Sequence, residues 1–332
     1  MSKKLTEFQI IEKFFKPLTN GSESSRNLAD DVAEISLKKD QKLVISKDLM
    51  VENVHFLLSD GGFKIASKLL RSNLSDIASS GATPHHYMLG FSKNSAIDEN
   101  FIKEFSCGLQ DVQNEFNVSL IGGDTVSGKE LFFSITIFGV VEKNQILSRN
   151  QAKLGDLIFV SGSIGDAYLG LKSNDKNNNL SLNASDKKYL LNRHFFPTPR
   201  IELGKKLIHH NLSKCAIDVS DGLLADLLHI CQSSKLGAKI YQNQIPFSAS
   251  AKKILKKNPI IFPDLISGGD DYELIFTSDK KNYGKIIALS KILKTDLTCI
   301  GEVCRPNDKK DPITLLDQNN KKIKIKKYGY EH

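Results

Sequence analysis

The side chains best able to do chemistry in this chain are aspartates placed at strand ends or beside glycine. Asp48, Asp124 and Asp218 fall within or just after apolar runs of strand length. Asp31, Asp76, Asp221, Asp270 and Asp271 accompany glycine, serine or short loops. One aspartate in such a place is ordinarily a turn or a helix cap. The whole set is harder to explain that way, because glycines adjoin several of its members. Carboxylates gathered without compensation repel and raise one another's pKa. A hard divalent cation removes that conflict: Mg²⁺ takes oxygen ligands, keeps water, and is held by carboxylates together with substrate phosphates. Gly122 and Gly123 precede Asp124, and Gly268 and Gly269 precede Asp270 and Asp271. Glycine lets a backbone approach a ligand closely, which would set amide donors beside the carboxylate acceptors.

Other chemistries find less support. His85 with His86 and His209 with His210 are adjacent pairs, which diverge on a strand or a helix, and no cysteine–histidine framework for zinc accompanies them. The chain lacks the phosphate loop Gly-x-x-x-x-Gly-Lys-Ser/Thr and the protein-kinase motif set. Residues 161–166, from Ser161 to Asp166, follow a strand and precede a helix. That backbone can hold an anion, although a tight strand-to-helix turn needs glycine anyway. Arg149 offers a fork of donors to a phosphate; a boundary salt bridge is the plainer alternative.

These residues must be positioned by elements whose spacing is visible. Residues 8–16 have helical apolar spacing, and residues 43–45 read as a buried strand that ends at Ser46, Lys47 and Asp48. Residues 64–80 form a helix with Ala66, Leu69, Leu70, Leu74 and Ile77 as its stripe; Asp76 borders that stripe and Gly81 stops it. The clearest helix spans 99–116, where Ile102, Phe105, Leu109, Val112 and Phe116 step by three or four. A strand at 118–121 ends in Gly122, Gly123 and Asp124, and a long strand at 132–141 puts Phe133, Ile135 and Ile137 on one face. Arg149 to Gly155 marks a boundary, after which the pattern restarts with a strand at 157–160. Residues 174–183 read as a loose Asn/Ser-rich loop, and Pro197 and Pro199 mark a further break. A strand at 215–218 leads through Ser220, Asp221 and Gly222 into a helix bearing Leu223, Leu224, Leu227, Leu228 and Cys231, and residues 267–271 precede a strand at 272–276. Helices and strands mix in both halves, so the fold class is α/β or α+β in two domains, 1–148 and 149–332.

Composition sets limits on location and partners. At 332 residues, 40% hydrophobic and 25% charged, the chain is ordinary globular material with enough length for two domains. No apolar run reaches the length of a membrane span, and the start shows no secretory pattern. Five scattered cysteines without a Cys-x-x-Cys pair fit buried free thiols in a reduced, cytoplasmic compartment. The net charge of +8 sits largely in lysine-rich stretches such as 321–327, which read as a solvated edge strand. The scattered lysines carry no interleaved aromatics and match no nucleic-acid-binding module.

The motifs, taken in order, resemble the thiamine-monophosphate kinase family. They are Ala29-Asp30-Asp31, Ile45-Ser46-Lys47-Asp48, Asn53-Val54-His55-Phe56, Asn73-Leu74-Ser75-Asp76-Ile77-Ala78, Ile121-Gly122-Gly123-Asp124-Thr125, Ala216-Ile217-Asp218-Val219-Ser220-Asp221-Gly222 and Ser267-Gly268-Gly269-Asp270-Asp271-Tyr272-Glu273-Leu274. Each is short, but the ordered set spans nearly the whole chain. The resemblance implies an aminoimidazole-ribonucleotide-synthetase-like fold, with an N-terminal dimerisation domain that carries ATP and Mg²⁺ and a C-terminal α/β domain that completes the site. It implies a homodimer that converts thiamine monophosphate to thiamine diphosphate with ATP and several Mg²⁺ ions, with no dedicated acid or base. By position it implies Asp31, Ser46, Asp48, Asp76, Asp124, Asp218 and Asp221 as metal ligands. Gly123, Asp124, Arg149 and Ser220 match ATP contacts; His55, Asp270 and, more loosely, Tyr330 match substrate contacts. The chain departs from the family pattern at Ala29, where glycine is usual, at Lys47, where a small hydroxyl residue is usual, and at Asp270, where glutamate is usual. Other ATP-using synthetases of the superfamily are the nearest alternative, but no cysteine stands in a glycine-rich N-terminal loop or ends the chain.

Overall fold

The computed structural model describes residues 5–175, 180, 182–306 and 312–330. The chain forms two compact units, Met1–Ile77 with Ala82–Lys143, and Ala78–Gly81 with Asn144–His332.

The first unit opens with α1 (Glu7–Ile10), capped by Thr6, whose side chain accepts from the Gln9 amide while the Gln9 side chain accepts from the Thr6 amide. The helical path continues through a π turn, Ile11–Phe15, and a 3-10 turn, Lys16–Thr19. Then follow β1 (Gln41–Val51), α2 (Gly62–Ser80), β2 (Thr83–Lys93), α3 (Glu99–Phe116), β3 (Ser119–Ser127) and β4 (Phe132–Glu142). Helix α3 has the expected bounds: Asp98 accepts from the Phe101 amide at its start, and Asn117 ends it at φ 52°.

The four strands lie in the order β1-β4-β2-β3, with β2 and β3 parallel and the other pairs antiparallel. Alternation turns Phe133, Ile135 and Ile137 to one face, where they are fully buried with Leu69, Leu70 and Leu74 of α2 and Phe105 and Leu109 of α3. The Phe133 ring lies 4.7 Å from Phe105 and 5.0 Å from Phe91. The two helices close on each other through glycine. A Cβ on Gly62 would stand 2.4 Å from the Phe101 carbonyl oxygen, and one on Gly108 2.4 Å from that of Phe63.

Two strands run past the ends expected from sequence. β1 does not stop at Ser46, Lys47 and Asp48 but continues to Val51, pairing with β4 along its whole length. The polar triplet looks like a strand end only because two of its members face the α2 side and one the other side. β3 likewise continues through Gly122, Gly123 and Asp124. Gly123, at φ 153°, is there because a Cβ would stand 2.0 Å from the Leu89 carbonyl oxygen.

The second unit contains β5 (Leu157–Ser161), α4 (Asp166–Asn174), α5 (Ala184–Phe195), α6 (Ile201–His209), β6 (Cys215–Asp218), α7 (Leu223–Ser234), β7 (Gly237–Tyr241), α8 (Ala249–Lys257), α9 (Phe262–Ser267), β8 (Leu274–Ser278), α10 (Tyr283–Leu293), β9 (Leu297–Cys304), β10 (Ile313–Leu316) and β11 (Lys322–Ile323). Its sheet runs β11-β10-β7-β9-β5-β8-β6. Val160, Ile217, Leu223, Leu227, Ile240, Ile275 and Ile300 belong to its main core, and Leu169, Leu190, Ala251 and Leu265 to a smaller one built by α4, α5, α8 and α9. β8 begins at Leu274 and not at Tyr272, because Asp270 and Tyr272 both take left-handed φ values, 64° and 50°.

The lysine-rich stretch ends the sheet as an edge. Among the described residues β11 pairs only with β10, and Ile323 and Ile325 pack on the core while Lys324 between them and the lysines on either side are exposed. The Asn/Ser-rich loop lies between α4 and α5; its residues 176–179 and 181, like residues 1–4 at the start and 331–332 at the end, lie outside the described residues. No described helix is long and apolar enough to cross a membrane. All five cysteines are free, but Cys107 is exposed on α3 where a buried thiol was expected.

Candidate active site

In the first unit the expected ligands form two groups. Ser46 and Asp48 stand on the face of β1 that looks toward α2. The Ser46 hydroxyl donates to Asp76 Oδ2 at 2.5 Å, and the Asp48 amide donates to the buried Asn73 Oδ1 at 3.1 Å. Asn73 and Asp76, three residues apart, share one helix face. Asp31 and Asp124 meet elsewhere. Both line a pocket of about 160 Å³ with Asp30, Met88, Gly122 and Gly123. Asp48 pairs with Ile135, whereas Asp124 pairs with Gly90, which pairs with Ser134. Ser134 and Ile135 are neighbours on β4, so Asp48 and Asp124 belong to opposite faces of the sheet.

His55 closes a turn after β1. Its Nδ1 accepts from the Val51 amide at 3.1 Å, and its own amide donates to the Val51 carbonyl at 2.9 Å. An accepting Nδ1 carries no proton, so Nε2 is the N–H of the neutral ring.

In the second unit, Asp218 ends β6 as a buried residue, and Ser220 and Asp221 sit half-buried on the loop that follows. A residue missed in the sequence organises this loop. Asp226 Oδ2 accepts from the amides of Ser220, Asp221 and Gly222 at 3.0, 3.1 and 3.1 Å. Burial, then the nearby Asp221 charge, pushes the Asp226 carboxyl up to about 7 against the pull of those amides. Asp221, Asp226 and the exposed His229 each place one ligand atom within 4.8 Å of the others. Only the i, i+3 spacing of Asp226 and His229 on a helix that follows the Asp221 loop could have signalled them. The loop also carries the expected substrate contacts: the Asp270 amide donates to the Ser220 carbonyl and the Tyr330 amide to the Asp221 carbonyl, both at 2.8 Å. The Asp270 carboxylate is reached by the Tyr272 hydroxyl at 3.3 Å and lies 3.8 Å from His194 Nδ1. Arg149 lines an open pocket of about 510 Å³ with Ser79, Ser80, Ser148 and Ser233, and its carbonyl accepts from Ser234 Oγ at 3.0 Å.

Two expectations about backbone donors are corrected. The turn at 161–166 does not offer a vacant anion site, because the amides of Gly165 and Ala167 already donate to Asp271, at 2.7 and 3.2 Å. Gly269 brings its backbone against the chain itself: a Cβ there would stand 2.3 Å from the Ser220 carbonyl oxygen.

Residues 29–141 match the family model described as AIR synthase related protein, N-terminal domain. A thiamine-monophosphate kinase from Buchnera aphidicola subsp. Schizaphis graminum is 39% identical over 333 aligned residues, covering 98% of both chains. The chain belongs to the thiamine-monophosphate kinase family. The thiamine-monophosphate kinase structure from Stenotrophomonas maltophilia K279a superposes with a TM-score of 0.83 at 33% identity, over 94% of this chain and 97% of that one. A complex of AaThiL with AMPPCP and TMP, 24% identical over the whole of both chains with a TM-score of 0.76, shares the fold.

The departures from the thiamine-monophosphate kinase pattern now have local explanations. Ala29 has φ −104°, which alanine adopts without strain; the left-handed residues are Arg26, Asn27 and Leu28 just before it. Lys47 points to the sheet face opposite Ser46 and Asp48 and donates to Ser134 Oγ at 3.3 Å, so the substitution removes no side chain from the face they share. Asp270 keeps its carboxylate beside Tyr272 and His194, one methylene nearer the backbone than a glutamate would hold it.

Proposed function

We propose that this protein transfers the γ-phosphoryl group of ATP directly onto the phosphate of thiamine monophosphate, giving thiamine diphosphate and ADP. The observation that carries the reading is the oxygen-only donor set, Ser46 with Asp48 and Asp76, Asp31 with Asp124, and Asp218 with Asp221, in a chain of the thiamine-monophosphate kinase family. Carboxylates and a hydroxyl are the donors Mg²⁺ prefers, and these seven residues would hold several such ions. When bound, the ions neutralise charge on two anionic reactants that otherwise repel.

The chain's own residues then bind and orient. A phosphate monoester has a second pKa of about 6 and is largely dianionic at neutral pH, so no side chain is needed to take a proton from it. An acceptor phosphate oxygen forms the new P–O bond, and the bond from the γ-phosphorus to the bridging oxygen breaks, leaving ADP. Arg149 offers its guanidinium fork to a nucleotide phosphate, and Gly123, Asp124 and Ser220 complete the nucleotide contacts. His55 offers its Nε2–H as a hydrogen-bond donor to the thiamine side, Asp270 adds a carboxylate, and Tyr330, 47% exposed, has a ring face for the cationic thiazolium.

A homodimer formed through the first unit fits the same reading. The sheet face away from α2 and α3 carries Leu43, Ile45, Leu49 and Val51 of β1, Phe132, Phe138 and Val140 of β4 and Met88 of β2. Ile45 is 56% and Leu49 45% exposed. Such a patch marks an interface. Met88 and Gly122 belong both to this face and to the pocket of Asp31 and Asp124, so a second copy would border the candidate site.

The test is incubation with ATP, Mg²⁺ and thiamine monophosphate, followed by ³¹P NMR for a new diphosphate, with free thiamine and an aminoimidazole precursor run alongside. Asp48→Asn and Asp124→Asn should each lower turnover by about 10²-fold or more while the fold persists. Near-normal activity of either variant at limiting Mg²⁺ refutes its metal role. Turnover of the aminoimidazole precursor instead moves the activity elsewhere in the superfamily.

A further inference from the structure

Every backbone polar group of residues 219–222 has a partner, and the partners come from three separate segments, 270–273, Asp226 and Tyr330. The Val219 amide donates to the Glu273 carbonyl, and its carbonyl accepts from Tyr272. The carbonyls of Ser220, Asp221 and Gly222 accept from the amides of Asp270, Tyr330 and Asp226. The three remaining amides, of Ser220, Asp221 and Gly222, converge on the single oxygen Oδ2 of Asp226, a residue 2% exposed. Glycine permits the crowding: a Cβ on Gly222 would stand 2.9 Å from Ser267 backbone atoms, one on Gly269 2.3 Å from the Ser220 carbonyl oxygen, and one on Gly329 2.5 Å from the Asp221 carbonyl oxygen.

Oδ2, which accepts from three amides, has little left to offer a metal or a substrate, so any ligation by Asp226 would fall to Oδ1 and leave the clamp in place. Oδ2 does what a helix-capping anion does, but for a loop: it gathers successive N–H dipoles and fixes their direction. The loop it fixes holds Ser220 and Asp221, and through its carbonyls it sets the register of Asp270 and Tyr330. Candidate metal ligands and candidate substrate contacts thus share one backbone junction.

We propose that Asp226 is a positioning residue for phosphoryl transfer, a buried clamp on the 220–222 amides that sets the geometry of the Ser220–Asp221 ligands and of the Asp270 and Tyr330 contacts together. The inference rests on the thiamine-monophosphate kinase reading for its catalytic arm only. It separates Asp226 from the metal ligands around it: removing a ligand weakens the metal, whereas releasing the clamp loosens both substrates.

Amide hydrogen exchange followed by mass spectrometry, together with steady-state kinetics on the full chain, tests this. In the wild-type protein the amides of Ser220, Asp221 and Gly222 should be protected although two of the three residues are only half-buried; free exchange there overturns the clamp without any variant. Asp226→Asn keeps shape and one acceptor but loses the charge. Its exchange at 220–222 should rise about tenfold or more. The KM values for MgATP and for thiamine monophosphate should both rise, and kcat/KM should fall about 10–100-fold, the range for partners that orient a metal's ligands. Asp226→Ala should exceed it in both readouts. Unchanged exchange in Asp226→Asn, or faster exchange with kcat/KM within about twofold of wild type, sinks the proposal. A shift in Mg²⁺ half-saturation alone, with exchange unchanged, makes Asp226 a ligand and sinks it too. If the wild-type protein does not phosphorylate thiamine monophosphate, the functional reading fails, while the exchange measurements still decide whether the clamp exists.

Discussion

Asp271 is held between two opposed demands. It is buried, which favours the neutral acid, yet its two oxygens accept from the amides of Gly165 and Ala167, which favour the anion. Burial has the larger effect and the Asp166 charge adds to it, so the carboxyl is pushed up to about 8 in spite of the amides and of Arg193. Two residues on, Glu273 resolves the same contest the other way. Burial again pushes it up, but the charges and hydrogen bonds of Arg200 and Arg193 and the Ser161 hydroxyl outweigh burial and hold it below the usual carboxylate range. The raised Asp271 has a consequence for stability. A carboxyl whose folded-state pKa lies above its unfolded value binds more protons when folded, so its contribution is complete below the unfolded value, about 4, and is lost as pH rises through about 8. Wild-type stability relative to Asp271→Asn should therefore fall between about pH 5 and about pH 8, by at most about 1.4 kcal/mol per pH unit. Urea unfolding of both proteins across that range measures it. A difference that stays flat, or widens in favour of wild type as pH rises, would show that the amides win and the carboxylate is ionised throughout.

Among the elements, the β2–β3 pair shows how closely backbone geometry constrains the candidate site. Gly123 sits at φ 153° with its α-carbon against the Leu89 peptide, and a Cβ would meet the Leu89 oxygen at 2.0 Å, carbon at 2.8 Å and nitrogen at 2.9 Å. Backbone cannot swing aside as a side chain can. Gly123→Ala should cost more than about 3 kcal/mol, strain and overlap combined, and should displace Asp124 with it. Gly284→Ala in α10 is the control: nothing lies within 4 Å of the added methyl, and alanine in a helix should stabilise by up to about 1 kcal/mol. Thermal melts of the two variants should move in opposite directions; a Gly123→Ala protein that melts with wild type would mean β3 shifts freely along β2. The same pair shows what sequence could and could not reveal. Helix α3 was legible to the residue because its stripe keeps one period throughout. β2 was not, although Tyr87, Leu89 and Phe91 alternate, because register shifts lie between Pro84 and His86 and between Tyr87 and Met88. The aspartates announced themselves by type and by the glycines beside them, but those glycines admit the chain's own backbone at Leu89 and Ser220. Asp226 stayed hidden because its role exists only once the turn before α7 aims three amides at one oxygen.

At the scale of the whole molecule, no helix layer among the described residues of the first unit covers the β1–β4 part of the sheet face opposite α2 and α3. A two-layer unit buries one sheet face under helices, and the other is expected to alternate to polar residues if water covers it. Here it does so only in part: Leu43, Ile45, Leu49 and Val51 occupy outward positions of β1 around Lys47, and Phe132, Phe138 and Val140 lie across from them on β4 on either side of Ser134 and Thr136. β1 is therefore largely apolar on its outer side, while its inner side sets Ser46 and Asp48 between Val44 and the buried Met50, a partial inversion of the pattern of a solvated edge strand. That inversion makes sense if the outer side meets a second copy and the inner side meets ligands. Ile45→Glu combined with Leu49→Glu places two charges at the centre of the patch without touching a residue of the proposed chemistry. If the face is the homodimer contact, sedimentation equilibrium should give a dimer for wild type and a monomer for the double variant. Its activity should fall with dissociation, because Met88 and Gly122 carry the same face to the pocket of Asp31 and Asp124. A wild-type protein that sediments as a monomer at high concentration, or a double variant that remains dimeric, would refute the assignment of this face.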